Sequence, residues 1–374
     1  MNILFITSRP MDKEGKADQI TLYESAEYLR KNGHRVDEFV IQKSDILSLL
    51  LGLLKIFVTR LPLQTVLFWN TTNKKKLKKF LTHKNYDRYY FHLIRTSEYV
   101  SFVEADKSYL GMQLSQALNF SRTSIQLPHG IKRIVYSIEA YLCKHYEKRI
   151  ISKFKKVNFV GTSDPLFLEE SQNKKVTTIP HGVDLPSTLA ATSIGDLIFL
   201  ANFSSEPNKI ALNHLIFDLF PKIKHAYPDI SLTIAGRNIP ERILNLNICG
   251  LHVLGSVLDA NFVVSQHKIF CNPVKASAGM QNKVIGALMS NIPVVTYRTA
   301  IEGMEINSPL LRTSELSDNA FVSCLVNLYE NYPKASEREA AGAIVQATWS
   351  WDALHEKWCT NFLELQNDEG PLQD

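Results

Sequence analysis

The sequence predicts an α/β fold made of two successive halves, each opening with its own strand–helix unit. Three observations carry that expectation. Short apolar runs bounded by turn residues alternate with stretches of helical spacing, the pattern of parallel sheets covered by helices. The pattern is interrupted at the small, polar run 186–194 and restarts at Leu197. A length of 374 residues with a hydrophobic fraction of 45% suits two cores better than one.

Taken in order, Asn2–Thr7 reads as a buried first strand, and Arg9–Asp18 as a polar loop containing Gly15. Gln19–Asn32 has helical spacing through Ile20, Leu22, Ala26 and Leu29, with Gly33 in the C′ position, and Val36–Ile41 follows as a second strand. This is a right-handed βαβ start, the opening of a doubly wound sheet. No GxGxxG follows the first strand, so no dinucleotide-type pyrophosphate site is expected there. Ser44–Leu63 is apolar but carries Lys55 and Arg60 and is cut by Pro62. Asn73–Lys84 is basic, with Leu77, Phe80 and Leu81 on one side. Both read as amphipathic helices. Together they are expected to lay an apolar face and a set of lysines on an anionic membrane surface; a core helix beside a solvated basic face is the other reading.

Tyr86–Leu93 looks like a strand with Arg95 just past its end, and Ser124–Leu127 like a short strand leading to Pro128-His129-Gly130. Ile138–Phe154 is a long helix, Val157–Val160 a strand, and Val176–Ile179 a strand running into Pro180-His181-Gly182-Val183-Asp184. In the second half Leu197–Ala201 is a strand, and Asn208–Phe220 a helix closed by Pro221. Ile230–Ala235 is a strand ending in Gly236-Arg237, and Val253–Gly255 is a strand end. Trp351–Leu365 is a last helix, apolar through Leu354, Trp358, Phe362 and Leu363, and the tail from Gln366 is polar. The expected domains are 1–185 and 195–350, with 351–365 as a helix placed to cross back to the first.

The stretch Asn272–Thr296 is the centre of the second half. Lys268–Cys271 feeds a loop of Ala276, Ser277, Ala278 and Gly279, which leaves little side chain to block backbone approach. Gln281–Met289 is helical, Asn291-Ile292-Pro293 breaks it, and Val294–Thr296 resumes as a buried strand. Free N–H groups and the dipole at that helix start favour an anion. Lys283 in the first turn opposes the dipole, a placement that is easier to understand with a phosphate nearby. A plain loop and helix is the alternative.

Composition narrows the classes. A net charge of +5 argues against a dedicated nucleic-acid binder and is compatible with an anionic ligand or surface. The cysteines are scattered, odd in number and without metal-ligand spacing, which fits a reduced, cytoplasmic compartment. The apolar run at the N-terminus is too short for a signal peptide, and no run of about 18 apolar residues predicts a transmembrane helix.

The run Gly279-Met-Gln-Asn-Lys-Val-Ile-Gly-Ala-Leu-Met, with Ile292-Pro-Val-Val and Ala300-Ile-Glu-Gly-Met, resembles the G-x-Q-N-K-V-L-E-A-M-A region of a known enzyme group. Ala235-Gly-Arg-Asn-Ile-Pro, Leu254-Gly-Ser-Val and Pro180-His-Gly-Val-Asp are similar to its V-G-x-N-P, T-G-x-V and P-N-G-V-D runs, and His92-Leu-Ile-Arg-Thr-Ser-Glu-Tyr to a strand end carrying Arg and Tyr. On these residues the chain resembles glycosyltransferases of the GT-B fold, and within them the retaining family four, or glycosyl transferases group 1. Among those it is similar to the sugar transferases of bacterial exopolysaccharide systems. The resemblance spans nearly the whole chain and is strongest from Leu197 to Met304.

The resemblance implies two Rossmann-like domains facing across a cleft. The second would bind a nucleoside diphosphate sugar and the first a lipid-linked saccharide acceptor, at the inner face of a bacterial membrane, without a metal or other cofactor. Charge developing on the diphosphate leaving group would be met by basic side chains and helix-start amides. Lys283 and Arg237 are the first candidates, sharing one positive pocket. Gly279, Met280, Gln281 and Asn282 would line the donor, Val257 would hold the base through backbone groups, and Gly15 would let the first loop approach the sugar. His129 could donate to a donor hydroxyl or to the reacting centre, and Arg95 could pair with a phosphate of acceptor or donor. Each has a plainer reading as a surface or turn residue.

Two positions depart from the family. Its E-x7-E glutamates fall on Ala278 and Gly286, and the second of these contacts the ribose hydroxyls. A lysine found after the first strand of its second domain is replaced, at the closest match, by Asn208. Gly286 therefore motivates a second reading, a catalytically inactive, glycosyltransferase-like scaffold of a polysaccharide assembly complex. A sugar-nucleotide epimerase shares the fold, but no convincing acid–base carboxylate pair is present for it.

Overall fold

The computed structural model describes residues 1–44, 60–82, 84–275 and 278–365. Residues 45–59 of the predicted Ser44–Leu63 helix, His83, Ala276 and Ser277 of the small-residue loop, and the tail from Gln366 lie outside the described residues. The chain divides into two compact units, Met1–Gly182 with the segment from Trp351 onward, and Val183–Ser350. Among the described residues each unit contains one six-stranded sheet. No helix among them is long and apolar enough to cross a membrane.

In the first unit the strands are β1 (Asn2–Thr7), β2 (Arg35–Val40), β3 (Arg88–His92), β4 (Ser108–Gln113), β5 (Lys156–Phe159) and β6 (Val176–Thr178). They pair in the order β2-β1-β3-β4-β5-β6, all parallel, with Ile3 opposite Val36 and Arg88. The β1 run is apolar on both faces because both are covered. Leu4 and Ile6 enter one core and Ile3 and Phe5 the other. The second core also takes Leu22, Ala26 and Leu29 of helix α1 (Ala17–Lys31). The basic helix α2 (Thr71–Leu81) is capped by Asn70, whose side chain accepts from the Asn73 N–H, and it buries Asn73 and Leu77.

Two helices follow, α3 (Gln116–Gln126) and α4 (Ile131–Ile151). The structure corrects the sequence here: Ser124–Leu127 is the end of α3, not a strand. Ser115 starts this helix, its Oγ accepting from the Leu118 N–H at 3.1 Å. The buried Glu147 carboxylate of α4 accepts from the Gln116 and Ala117 N–H groups at 2.8 and 3.3 Å. Helix α4 also begins a full two turns before Ile138. Strand β4 was not anticipated.

The second unit's strands are β7 (Gly195–Leu200), β8 (Leu232–Ala235), β9 (Leu251–Gly255), β10 (His267–Asn272), β11 (Val294–Tyr297) and β12 (Leu311–Ser314), in the order β12-β11-β10-β7-β8-β9 and all parallel. Helices α5 (Glu206–His214), α6 (Ala260–Ser265), α7 (Asn282–Met289), α8 (Asp318–Glu330) and α9 (Ala335–Trp349) accompany the sheet. Pro221 does not close the helix that starts at Glu206. The chain passes through a π turn at Leu215–Leu219 and continues helically over Phe220–Ala226. The proline sits at the start of that last stretch, where its missing N–H is tolerated. Helices α8 and α9 were not anticipated. Helix α10 (Trp351–Lys357) and the turn after it return to the first unit, where Trp358, Cys359, Phe362 and Leu363 join the core of Ile3 and Phe5.

Candidate functional site

In an open parallel sheet the loops at the C-terminal strand ends splay apart where the strand order reverses, and ligands bind in that crevice. In the second unit the reversal lies between β7 and β10. Lys283 stands in the first turn of α7, after β10, and Asn208 in the first turn of α5, after β7. The Lys283 Nζ donates to Asn208 Oδ1 at 2.8 Å and lies 5.2 Å from the Phe199 ring centre. It therefore bridges the two sides of the reversal. Among the described residues it pairs with no carboxylate, and burial pushes its ammonium pKa down to about 7.

A run of side-chain amides continues from there. Asn208 Nδ2 donates to the Asn202 carbonyl at 2.9 Å, and Asn238 Nδ2 donates to Asn202 Oδ1 at 3.0 Å. Asn238 is next to Arg237, so the elements that carry Lys283 and Arg237 are tied together through Asn208 and Asn202. The Arg237 carbonyl accepts from the Phe203 N–H at 2.9 Å, and its side chain is exposed. Gly236, at φ 131°, allows this: a Cβ there would come within 1.9 Å of the Ala201 carbonyl oxygen. The Gly236 N–H also donates to Gly255 at 2.7 Å, joining the loop after β9, where Val257 is half-buried. Gly279 is buried at φ 67°; Met280, Gln281 and Asn282 are half-buried, and Gln281 occupies the N-cap of α7. Sequence reasoning missed Asn202 and Asn238. The signal was present in the polar runs that follow two strand ends, Asn202-Phe-Ser-Ser and Arg237-Asn-Ile-Pro.

Gly286 lies one turn after Lys283 on α7. A Cβ added there would meet Asn261 Oδ1 of α6 at 3.0 Å, so an amide already stands where a longer side chain would project.

In the first unit the order reverses between β1 and β3. Arg9, after β1, forks onto Asp18 at 2.9 and 2.8 Å. Gly15 closes the turn from Asp12, its N–H donating to the Asp12 carbonyl at 3.3 Å. Arg95, after β3, stacks on Phe68 with 5.4 Å to the ring centre, and its Nε has no hydrogen-bond partner among the described residues. Burial, together with the Arg9 charge, holds its pKa below the usual arginine value. Buried His92 meets the Tyr90 hydroxyl at 3.0 Å through Nδ1, and burial pushes its pKa down to about 3. His92 was not singled out from the sequence. His129 is exposed in the turn between α3 and α4, so it follows a helix rather than a strand.

Residues 195–331, which hold β7 through α8 and the whole crevice of the second unit, match the family model described as glycosyl transferases group 1. Among solved structures, a glycosyltransferase from Rickettsia africae ESF-5 is 16% identical, with 97% of this chain and 98% of that chain covered at a TM-score of 0.65. Sucrose-phosphate synthase from Thermosynechococcus elongatus is 12% identical over 97% of this chain and 99% of that one, at a TM-score of 0.70. The pneumococcal O-GlcNAc transferase GtfA, solved in complex with UDP and GlcNAc, is 10% identical over 97% and 98%, at a TM-score of 0.64. No curated protein matches the chain. At these identities the likeness is one of fold: two parallel six-stranded sheets with their helices, the GT-B fold of glycosyltransferases.

Proposed function

We propose that the protein is a retaining, metal-independent glycosyltransferase. It moves a hexose from a nucleoside diphosphate sugar to a lipid-linked saccharide in bacterial surface polysaccharide synthesis (lipopolysaccharide O-antigen, capsule or exopolysaccharide). It works in the cytoplasm at the inner face of the membrane. One observation carries the reading: Lys283, without an acidic partner among the described residues, is held across the β7/β10 reversal by Asn208. Lys283 is half-buried, and an ammonium partly withdrawn from water without an acidic partner is costly unless an anion completes it. The diphosphate of a sugar nucleotide supplies that anion, and the charge that grows on it as the glycosidic bond breaks strengthens the contact in the transition state. Exposed Arg237, on the loop joined to Lys283 through the amides, adds a second cation from the neighbouring strand end. Arg95 in the first unit and the half-buried residues 280–282 complete the proposed set, with His129 as donor to a sugar hydroxyl. GtfA was solved with UDP and GlcNAc, which supports a uridine nucleotide as the first donor to try.

Calorimetry with UDP and GDP tests the donor site. Micromolar binding is expected, and Lys283→Ala should weaken it by about 1.5–3 kcal/mol, roughly ten- to 150-fold, the range of a charged hydrogen bond. Absence of binding to either nucleotide sinks the enzyme reading and leaves the inactive scaffold, which the Gly286–Asn261 approach favours. Transfer assays with a panel of donor sugars and lipid-linked acceptors then test the acceptor class.

A further inference from the structure

Helix α4 presents apolar residues to the solvent. Its buried side holds Glu139, Cys143, Tyr146, Glu147, Ile150 and Ile151. Ile131, Ile134, Val135, Ile138 and Tyr141 are exposed at 82, 59, 47, 53 and 60%. Their spacing puts all five on one stripe of the helix. Ile125 of α3, 70% exposed, adds to the apolar surface. Single exposed apolar residues are ordinary, but a continuous row of large ones marks an interaction face.

The charge on this stretch is one-sided. Between Ile131 and Tyr141 the only acidic residue is Glu139. It is buried, and both its oxygens accept from the Leu63 N–H at 3.2 Å. Lys132 and Arg133 occupy the first turn of α4, which contains no acidic residue, so they oppose the helix dipole. Beside them a depression of ≈ 480 Å³ is lined by His129, Arg133, Ile134, Ser137, Ile138 and Tyr141.

We propose that this stripe is a membrane-docking face, which seats the first turns of α4 in the boundary between headgroups and acyl chains of an anionic bilayer. The isoleucines enter the acyl layer, Arg133 meets lipid phosphates, and Tyr141 sits at the interface with its hydroxyl toward water. A second copy of the chain fits less well. A two-fold contact would bring the same cations toward one another with no carboxylate on the stripe to receive them. The proposal rests on the lipid-linked acceptor in the proposed function and is independent of the donor chemistry. It differs from adsorption through the lysines of α2, which is electrostatic alone and lost in salt.

Flotation of the full chain with vesicles of phosphatidylglycerol and phosphatidylethanolamine tests it, with phosphatidylcholine vesicles as the neutral comparison. The wild type is expected to float with the anionic vesicles and to stay partly bound at high salt. Ile134→Asp with Ile138→Asp should lose the salt-resistant fraction, with partitioning about ten-fold weaker or more. Lys75→Glu with Lys79→Glu on α2 should lower binding at low salt only. Circular dichroism on every variant reads folding and UDP calorimetry reads the donor site, so a failure of docking and a failure of the donor reading are distinguishable. The proposal is overturned if the wild type does not bind anionic vesicles, or if the isoleucine variant binds as well as the wild type. It is equally overturned if light scattering shows a dimer that the variant breaks, which would assign the stripe to a second copy.

Discussion

Lys283 ties the chemistry of the crevice to pH. With its pKa pushed down to about 7 by burial, the lysine is partly neutral at physiological pH. A diphosphate arriving beside it raises that pKa, so binding takes up a proton. UDP affinity is therefore expected to be highest below about pH 7 and to fall as pH rises through and above that value. Calorimetry in buffers of different ionisation enthalpy should show the uptake in wild type and lose it in Lys283→Met; a pH-independent affinity in wild type would argue that the ammonium does not face the ligand. Folding carries the opposite sign. Between about 7 and the ordinary lysine value of 10.5 the unfolded chain binds the extra proton, so this group's contribution to stability rises with pH across that window. Gly286 makes a second residue-scale prediction. Gly286→Ala should raise stability by up to about 1 kcal/mol in chemical denaturation, because the helix gains alanine's propensity and Asn261 can turn its amide aside. Marked destabilisation would mean that Asn261 is locked in place. The position of Lys283 was legible because a cation in a first turn stands out in one dimension. Asn208 was singled out too, but Asn202 and Asn238 were not, since the loops after β7 and β8 meet only when the two strand ends lie side by side.

At the scale of elements, α3 and α4 depend on one buried carboxylate. Glu147 accepts from the Ser115 hydroxyl at 2.6 Å as well as from the N–H groups that open α3. Burial nevertheless raises its pKa to about 8 from 4.5, against the pull of those hydrogen bonds. A raised folded-state pKa means the folded chain holds the proton more tightly. The stabilisation is complete below about pH 4.5 and is lost as pH rises through about 8. Glu147→Gln cannot titrate, so denaturation midpoints of wild type and variant should converge or cross over that window; parallel curves would show that the carboxylate stays ionised. The same contact explains why Ser124–Leu127 misled the sequence reading. Its alternating Ser-Ile-Gln-Leu suits a short strand, and the partner that commits it to helix lies on another element. Pro221 misled for a related reason, because a π turn before it absorbs the misfit that would otherwise end a helix.

On the scale of the molecule, each unit has its own sheet and its own apolar clusters, Leu197 to Leu328 in the second and those around β1 in the first. A donor held at the β7/β10 reversal should therefore act on one unit. Hydrogen exchange with saturating UDP is expected to slow at the loops after β7, β8 and β10 and at the start of α7, with strands β1–β5 little changed. At a hundred-fold excess over Kd the ligand adds about 2.7 kcal/mol to the state that binds it. Protection confined to the first unit would move the nucleotide away from Lys283. The restart at Leu197 made two successive halves readable, because apolar periodicity is local. Strand β4 and helices α8 and α9 were not anticipated, although Ser317 and Asp318 mark the start of α8 and Pro333 follows its end.

The core of the first unit is completed by Trp358, Phe362 and Leu363, residues that a ribosome makes about 180 positions after Gly182. During synthesis the opening half must wait with the part of the Ile3–Phe5 side of its sheet that helix α1 does not reach uncovered, while Val183–Ser350 has everything it needs to fold first. Cells that make this protein would have to shelter that bare flank, and premature stop codons ahead of Trp351 should yield an insoluble product although every proposed nucleotide-contacting residue is already present.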